Sequence, residues 1–330
     1  MKVRKLSCFI LLISSLLLIS ACGQNKVTKI DLAEVTRSIF YAPQYVALEK
    51  GFFEEEGLDV DLQTTWGGDT TMTALLSDSA DIALVGSETS IYVYAQDSRD
   101  YAVNFAQLTQ TDGTFLVAKE ADEDFHWEDL RDSNFLGQRV GGMPQMVGEY
   151  VLKQHDIDPH EDLDLVQNID FANIPGAFAS GDYEYVQLFE PTASIFEANG
   201  QGHIIASFGE ESGQVPYTVF MAKESFLDEE EETVKAFTRA IYKAQQWVQE
   251  TDSLEIAKVV EPYFEDTDVE MLANAIERYK QQGSYATSPL LEEAAWENLK
   301  GIMDEAGELP GDAPYEDLVN TDYAEQIIEE

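Results

Sequence analysis

The sequence contains very little cysteine, little positive charge and no long apolar segment. Of its two cysteines, Cys8 lies in an apolar N-terminal stretch, and Cys22 alone remains once that stretch is removed. A single cysteine excludes an internal disulfide and a structural zinc site built from several thiolates. A mature chain of about 300 residues must therefore be stabilised by a hydrophobic core, and this length usually forms two domains.

Basic residues are scarce, because 20 lysines and arginines stand against 63 aspartates and glutamates. The formal net charge of −43 becomes −46 when Lys2, Arg4 and Lys5 leave with the N-terminal stretch. Such a surface repels nucleic acid and anionic membranes, so we expect no nucleic-acid partner. Attachment to a membrane would have to depend on lipid rather than on a basic patch.

The first 21 residues have the order of a secretory signal peptide: a positive start, an apolar run from Phe9 to Ile19, and small residues before Cys22. The run is short for a transmembrane helix. The stretch from Ile19 to Cys22 resembles a bacterial lipobox, which implies that Cys22 becomes a lipid-bearing (palmitate) N-terminus. We expect residues 1–21 to be the signal and 22–28 a tether; a non-lipidated signal or an uncleaved anchor is the alternative.

After the tether, short apolar strands alternate with helical patterns. Lys29 to Val35 and Leu58 to Leu62 alternate with period two, and further strands are predicted at 82–85, 138–140 and 184–189. A helix is predicted from about Pro144 to His155, and the last hundred residues follow helical spacing, with an apolar stripe on residues 234–248. This alternation predicts an α/β fold with mostly parallel sheet.

Two similar segments divide the chain. "TFLVAKE" (Thr114 to Glu120) recurs approximately as "TVFMAKE" (Thr218 to Glu224). We interpret both as strands that pass between two lobes, with chance similarity of two strand-forming heptads as the alternative. Lobe 1 would then comprise residues 29–120 and 218–330, and lobe 2 would comprise residues 121–217.

Three motifs occur in a characteristic order: "YVALEKGFFEEEGLDVDL" from Tyr45, "ALLSDSADIALVG" from Ala74, and "QLFEP" from Gln187. Together they resemble the solute-binding proteins of ABC importers, in the branch for nitrate, sulfonates, taurine and thiamine-pyrimidine precursors. The resemblance implies a two-lobed, type II periplasmic-binding-protein-like α/β fold. Each lobe would be a mixed sheet flanked by helices, with two crossover strands as the hinge.

The resemblance also implies a function. The protein would be a lipid-anchored monomer on the extracytoplasmic face of the cell membrane that captures a small molecule and delivers it to an ABC permease and ATPase. The expected ligand is a pyrimidine or thiamine-precursor-like heterocycle, or an aminosulfonate. The alternatives are an exported enzyme of pyrimidine-precursor type, whose cysteine-rich motif is missing here, and a sensor that uses the same fold without transport.

Ligands of open α/β sheets bind outside the carboxyl ends of the strands. We therefore predict ligand contacts from residues in the loops that follow or precede strands: Arg37, Ser38, Tyr41, Trp66, Gly67, Gly68, Ser87, Glu88, Thr89, Gln110, Met143, Gln145, Glu190 and Tyr217.

Each of these side chains has a specific expected role and an ordinary alternative. Trp66, beside two glycines, would stack on a planar ligand, or else pack in the core. Glu190 would accept hydrogen bonds from an amine or amidine, or else be a surface acid. Arg37 is suited to carboxylate, sulfonate or phosphate, or else balances neighbouring acids. Ser87 and Thr89 would bind an oxyanion, or else cap a helix.

Signals for catalysis are weak, and we predict neither an enzyme nor a cofactor. The sequence Gly86-Ser87-Glu88 lacks the second glycine of a nucleophile elbow. The four histidines do not show the paired helical spacing of a zinc site, so no metal is expected. The Gly141-Gly142 turn lacks the lysine of a phosphate-binding loop, which argues against nucleotide binding.

Overall fold

The structure is a computed structural model that describes residues 27–330. The predicted signal peptide and the predicted lipidation site at Cys22 lie outside the described residues. Within residues 27–330, ten strands form two five-stranded mixed sheets flanked by helices. No helix in this range combines the length and the apolar character needed to cross a membrane.

The first sheet has the strand order β2-β1-β3-β10-β4. β1 pairs in parallel with β2 and β3, and β10 runs antiparallel between β3 and β4. The alternation in β1 buries Ile30 and Leu32 and leaves Lys29 facing solvent, as predicted. The strands are β1 (Thr28–Glu34), β2 (Leu58–Thr64), β3 (Ile82–Gly86), β4 (Ala102–Thr109) and β10 (Thr218–Lys223).

The second sheet repeats this arrangement in the order β7-β6-β8-β5-β9. β6 is parallel to β7 and β8, and β5 runs antiparallel between β8 and β9. The strands are β5 (Thr114–Ala118), β6 (Asn134–Leu136), β7 (Asp164–Val166), β8 (Tyr185–Phe189) and β9 (His203–Ser207).

The two similar heptads occupy equivalent places, because β5 and β10 are each the fourth strand of a sheet and antiparallel to its third strand. Their positions correct one predicted boundary. Residues 114–118 were assigned to lobe 1, but backbone pairing with β8 and β9 places them within the second sheet. The chain crosses between the sheets just before each heptad, at residues 110–113 and 212–217. The division into two lobes that hinge there stays a prediction.

A second correction concerns β6. The predicted strand at 138–140 is wrong, because the paired residues are Asn134–Leu136. Phe135 and Leu136 are buried and drive the pairing, whereas Val140 is 53% exposed. Gln138 leaves the sheet and its amide donates a hydrogen bond to the Gln187 carbonyl at 2.6 Å.

Helices follow most strands, and the C-terminal hundred residues are largely helical, as predicted. The apolar stripe on the longest of these helices is buried against α1, which completes the core beside the first sheet. The helices are α1 (Ala42–Glu49), α2 (Phe52–Glu55), α3 (Gly68–Leu76), α4 (Glu88–Tyr94), α5 (Met143–Gln154), α6 (Ile174–Ser180), α7 (Thr192–Ala198), α8 (Phe208–Glu211), α9 (Glu224–Glu229), α10 (Glu231–Glu250), α11 (Ser253–Val260), α12 (Val269–Gln282), α13 (Glu293–Glu305), α14 (Tyr315–Leu318) and α15 (Asp322–Glu329).

Candidate functional site

A cavity of about 270 Å³ lies at the carboxyl ends of strands from both sheets. Residues that follow β1 and β2 form one side, and residues that follow β6 and end β8 form the other. This is the position at which open α/β sheets bind ligands. The lining residues are Thr36, Arg37, Ser38, Trp66, Gln138, Phe171, Ala172, Ile174, Pro175, Leu188, Phe189, Glu190 and Thr192.

The cavity brings together four of the fourteen predicted ligand contacts, namely Arg37, Ser38, Trp66 and Glu190. The other ten are absent from its lining: Tyr41, Gly67, Gly68, Ser87, Glu88, Thr89, Gln110, Met143, Gln145 and Tyr217. Among the residues that sequence reasoning missed, those from Phe171 to Pro175 lie in a short 3₁₀ turn and the start of α6. Asn173 followed by Pro175 is a typical helix start, so the sequence could have predicted α6. Nothing in the local pattern indicated that this helix contacts a ligand.

Arg37 is held from several sides. Its Nε lies 3.1 Å from Glu34 Oε1, and its Nη2 donates a hydrogen bond to Thr64 Oγ1 at 2.9 Å. The guanidinium carbon is 5.4 Å from the ring centre of Tyr45 and 5.0 Å from that of Tyr263, within range of cation–π attraction. Arg37 therefore does balance a neighbouring acid, and it lines the cavity as well.

Glu34 is the last residue of β1, and its side chain is fully buried. Oε1 also accepts the Thr64 hydroxyl at 2.7 Å, and Oε2 accepts Gln44 Nε2 and the Tyr45 hydroxyl, both at 2.8 Å. Burial raises the pKa of the Glu34 carboxyl, while Arg37 and the three neutral donors counteract that rise.

Glu190 borders the cavity, but its carboxylate is already engaged. It accepts the backbone N–H of Ser194 at 3.0 Å and the Ser194 hydroxyl at 2.9 Å, and it forms an ion pair with Arg278 of α12. Burial raises the pKa of Glu190, and the Arg278 charge opposes that rise. The geometry does not favour the predicted role of accepting a ligand amine, because Arg278 already supplies the cation.

The backbone of Glu190 also connects the two sheets. Ser38, which follows β1, donates its hydroxyl to the Glu190 carbonyl at 2.8 Å, and the Glu190 N–H donates to the Tyr279 hydroxyl at 3.1 Å. The Tyr279 hydroxyl donates in turn to the carbonyl of Gly113, at one crossing between the sheets. The boundary between the two sheets is called the seam below. The bonds of Glu190 to Ser38 and to Tyr279 cross this seam beside the cavity.

Trp66 is 58% exposed at the cavity, so it is not a core aromatic. Its φ of 61° is left-handed, which is uncommon for a residue other than glycine and which recurs at ligand sites. Gly67 and Gly68 follow it, and α3 begins at Gly68. The indole is thus displayed at the carboxyl end of β2.

Glu88 lies outside the lining, deep in the seam. Its Oε1 accepts the backbone N–H of Met143, the first residue of α5, at 3.3 Å. Its Oε2 has no hydrogen-bond partner among the described residues. Burial raises the pKa of Glu88 to about 8, because no cation approaches it within residues 27–330. Gly86 leaves room for this carboxyl, since an added Cβ would collide with it unless the Glu88 side chain moved.

Several of the remaining predicted contacts have hydrogen-bond or packing partners within the protein. The side chains of Ser87 and Thr89 donate to the carbonyls of Pro216 and Gly86. Gln110 Nε2 donates to the Gly283 carbonyl at 3.0 Å. Gln145 Nε2 donates to Glu149 at 2.7 Å. Tyr41 and Tyr217 are buried and both pack against Phe40. Ligand contacts from these residues stay predictions.

Comparison with known proteins identifies relatives that match most of the chain. A protein of Bacillus subtilis (strain 168) named "Putative binding protein YtlA" is 63% identical over 313 residues, 94% of each chain. The formylaminopyrimidine-binding protein of Halalkalibacterium halodurans is 26% identical over 272 residues, covering 72% of this chain and 74% of that protein.

Solved structures share the fold at lower identity. The alkanesulfonate-binding protein SsuA from Xanthomonas axonopodis pv. citri has a TM-score of 0.71 at 12% identity, covering 89% of this chain and 98% of that one. The nitrate-binding protein NrtA from Synechocystis PCC 6803 has a TM-score of 0.71 at 18% identity, with coverages of 92% and 89%. The desulfurization enzyme DSZB also matches, with a TM-score of 0.65 at 12% identity over 92% and 99%.

These structural similarities confirm the predicted type II periplasmic-binding-protein fold, and at such identities they show the fold alone. Membership of a family rests on the sequence. The model of the NMT1-like family matches residues 24–261, well over half of the chain. This protein therefore belongs to the NMT1-like family.

Proposed function

We propose that this protein is an extracytoplasmic solute-binding protein of an ABC importer, which closes two lobes on a small polar organic molecule and delivers it to a permease. The observation that supports this most is the 270 Å³ cavity at the carboxyl ends of strands from both sheets. The names of YtlA and of the formylaminopyrimidine-binding protein describe binding, which agrees with the proposal.

The proposed ligand is a flat heterocycle of pyrimidine type or an aminosulfonate. Trp66, Phe171 and Phe189 supply aromatic surface for a planar group, and Arg37 supplies a polar contact. A cavity of this volume suits a ligand of roughly one ring with its substituents.

The test is to identify what the protein carries. The complete chain is purified gently in detergent, and small molecules released by denaturation are identified by mass spectrometry; the recovered compound, or the best of a metabolite panel, should raise the melting temperature. Trp66→Ala should weaken its binding, whereas Trp247→Ala, far along α10, should not. Failure of every compound to bind contradicts the proposal, and turnover of a bound compound would instead support an exported enzyme.

We also propose that Cys22 carries the lipid anchor of a monomeric receptor. Cells fed an alkyne analogue of palmitate should label the wild-type protein and should not label Cys22→Ala, which would be found in the medium. A chain that stays on the cell without lipid contradicts this part. If no permease partner can be cross-linked to the solute-loaded protein, a sensor without transport is supported instead.

A further inference from the structure

The arrangement behind Arg37 is more elaborate than an ion pair between two side chains. Glu34 accepts four donors, and each is on a different residue: the Arg37 Nε, the Thr64 hydroxyl, the Gln44 amide and the Tyr45 hydroxyl. Because all four contacts are donors, the arrangement suits an ionised carboxylate and leaves it fully hydrogen-bonded although it is buried. Glu34 does not line the cavity.

The same neighbours restrain the guanidinium of Arg37. Glu34 holds Nε, Thr64 Oγ1 accepts from Nη2, and the rings of Tyr45 and Tyr263 lie against the guanidinium carbon. Nη1 makes no hydrogen bond within residues 27–330. The side chain is 28% exposed, so part of it remains open to a solute.

The two charged side chains that line the cavity differ in whether they are free to bind a solute. Arg37 and Glu190 are the charged residues in the lining that the described part of the chain provides. Glu190 is paired with Arg278 and bonded to Ser194, whereas Arg37 keeps an unbonded Nη1. A solute that enters therefore meets an available donor at Arg37 and no available carboxylate at Glu190.

We infer that Glu34 is a positioning residue that orients Arg37 so that its Nη1 binds an oxygen acceptor of the solute, a carboxylate or a sulfonate. This inference rests on the proposed function. A free arginine side chain loses rotamer freedom when it binds, but Glu34, Thr64 and the two rings already restrict this one. The flat part of the solute would lie toward Trp66 and Phe171. An amine at the polar end would be disfavoured, because its positive charge would lie next to the guanidinium.

The test uses matched probes that differ at the polar end. Pyrimidine-5-carboxylate and benzenesulfonate are compared with pyrimidine-5-carboxamide and benzenesulfonamide, and with 5-(aminomethyl)pyrimidine and benzylamine, by calorimetry on the complete chain. We expect each anion to bind about 10-fold or more tightly than its amine partner. Arg37→Gln should abolish that preference, and Arg131→Gln, which removes an arginine from the surface of the second sheet, should keep it.

The role of Glu34 is separated from a structural role by a double-mutant cycle. Glu34→Gln should weaken the anions about 10-fold and the neutral amides much less, and it should have little effect in the Arg37→Gln background. Glu149→Gln removes another buried carboxylate, one that does not line the cavity, and should leave the preference unchanged. Should Glu34→Gln fail to fold, Thr64→Val keeps Glu34 and should weaken the anions in the same direction.

Several results would overturn the inference. One is a preference for the amines; another is an equal loss for all probes in Glu34→Gln, or the same loss with and without Arg37. A third is that the carried solute identified by mass spectrometry has neither carboxylate nor sulfonate, or binds while all the probes fail. In that third case the proposed function stands, because a solute is bound, and the assignment of its polar end is wrong.

Discussion

Two glutamates occupy equivalent places in the two sheets and have opposite surroundings. Glu88 follows β3, the third strand of the first sheet, and Glu190 follows β8, the third strand of the second. Both are buried near the start of a helix. Glu190 receives Arg278 and both groups of Ser194, whereas Glu88 receives one backbone N–H, from Met143.

The difference shows that position in the fold does not set the charge of a buried acid. Arg278 comes from α12, more than eighty residues further along the chain, and it opposes the effect of burial on Glu190. No cation reaches Glu88 among the described residues, so burial alone raises its pKa to about 8. Both acids make contacts across the seam between the sheets. Glu190 forms an ion pair with Arg278, whereas Glu88, whose raised pKa favours the protonated form, accepts the Met143 N–H.

Removing Arg278 should have the largest effect, since it makes Glu190 resemble Glu88. Arg278→Ala leaves a buried carboxylate without its cation, and we expect a loss of about 3 kcal/mol in the free energy of unfolding, measured by urea titration at pH 7. Arg131→Ala, which breaks a more exposed pair with Asp162, should cost about 1 kcal/mol or less. Similar losses in the two variants would contradict the comparison.

Glu88→Gln should change how stability depends on pH. The carboxyl titrates near its ordinary pKa when unfolded and near 8 when buried, so the wild type loses stability as pH rises from about 4.5 to 8. The variant lacks this loss, and its stability relative to wild type should rise by about 3 kcal/mol between pH 5 and pH 8. The measurement is the difference in unfolding free energy at the two pH values. A difference that does not change with pH would show that Glu88 is not buried uncharged.

Ser194→Ala tests the lesser contacts of Glu190. The variant loses the hydroxyl bond to Oε1 and keeps the backbone N–H bond to Oε2, so we expect a loss of about 1 kcal/mol. Thermal unfolding should show it, with Ser180→Ala on the exposed end of α6 as the control. If Ser194→Ala costs as much as Arg278→Ala, then hydrogen bonding rather than charge stabilises Glu190.

Arg139→Gln should have the smallest effect. Arg139 lies 3.4 Å from Asp69 across the seam, but the two side chains are 51% and 62% exposed. Exposed pairs contribute little, and we expect a change of about 0.5 kcal/mol or less that vanishes at high salt. Urea titrations at low and high ionic strength check this. A larger loss of unfolding free energy that persists at high salt would show that exposed contacts across the seam also stabilise the protein.

Local sequence patterns were sufficient to predict many of the strands and helices. In β1, β2 and α10 the buried residues recur at the spacing of the strand or helix, and in β3 they form a continuous apolar run. Such patterns can be seen directly in a short stretch of sequence. The strand near 138 was misplaced because a three-residue strand leaves little periodic signal. The cavity was predicted in part: residues just after strands, such as Arg37 and Trp66, could be found, whereas Phe171 and Ile174 could not.

The sequence by itself determined the class of fold, several of its strands and helices, and the family, because these depend on local periodicity and on ordered motifs. The tertiary structure alone decided which charged groups approach each buried acid and which side chains face the cavity. Glu34 was not singled out at all, and Glu190 was assigned to a ligand amine. Thr64 and Tyr263, which contact the Glu34–Arg37 pair, and Arg278, which pairs with Glu190, all lie far away in the chain. Electrostatic roles depend on distances in space, and sequence spacing does not record those.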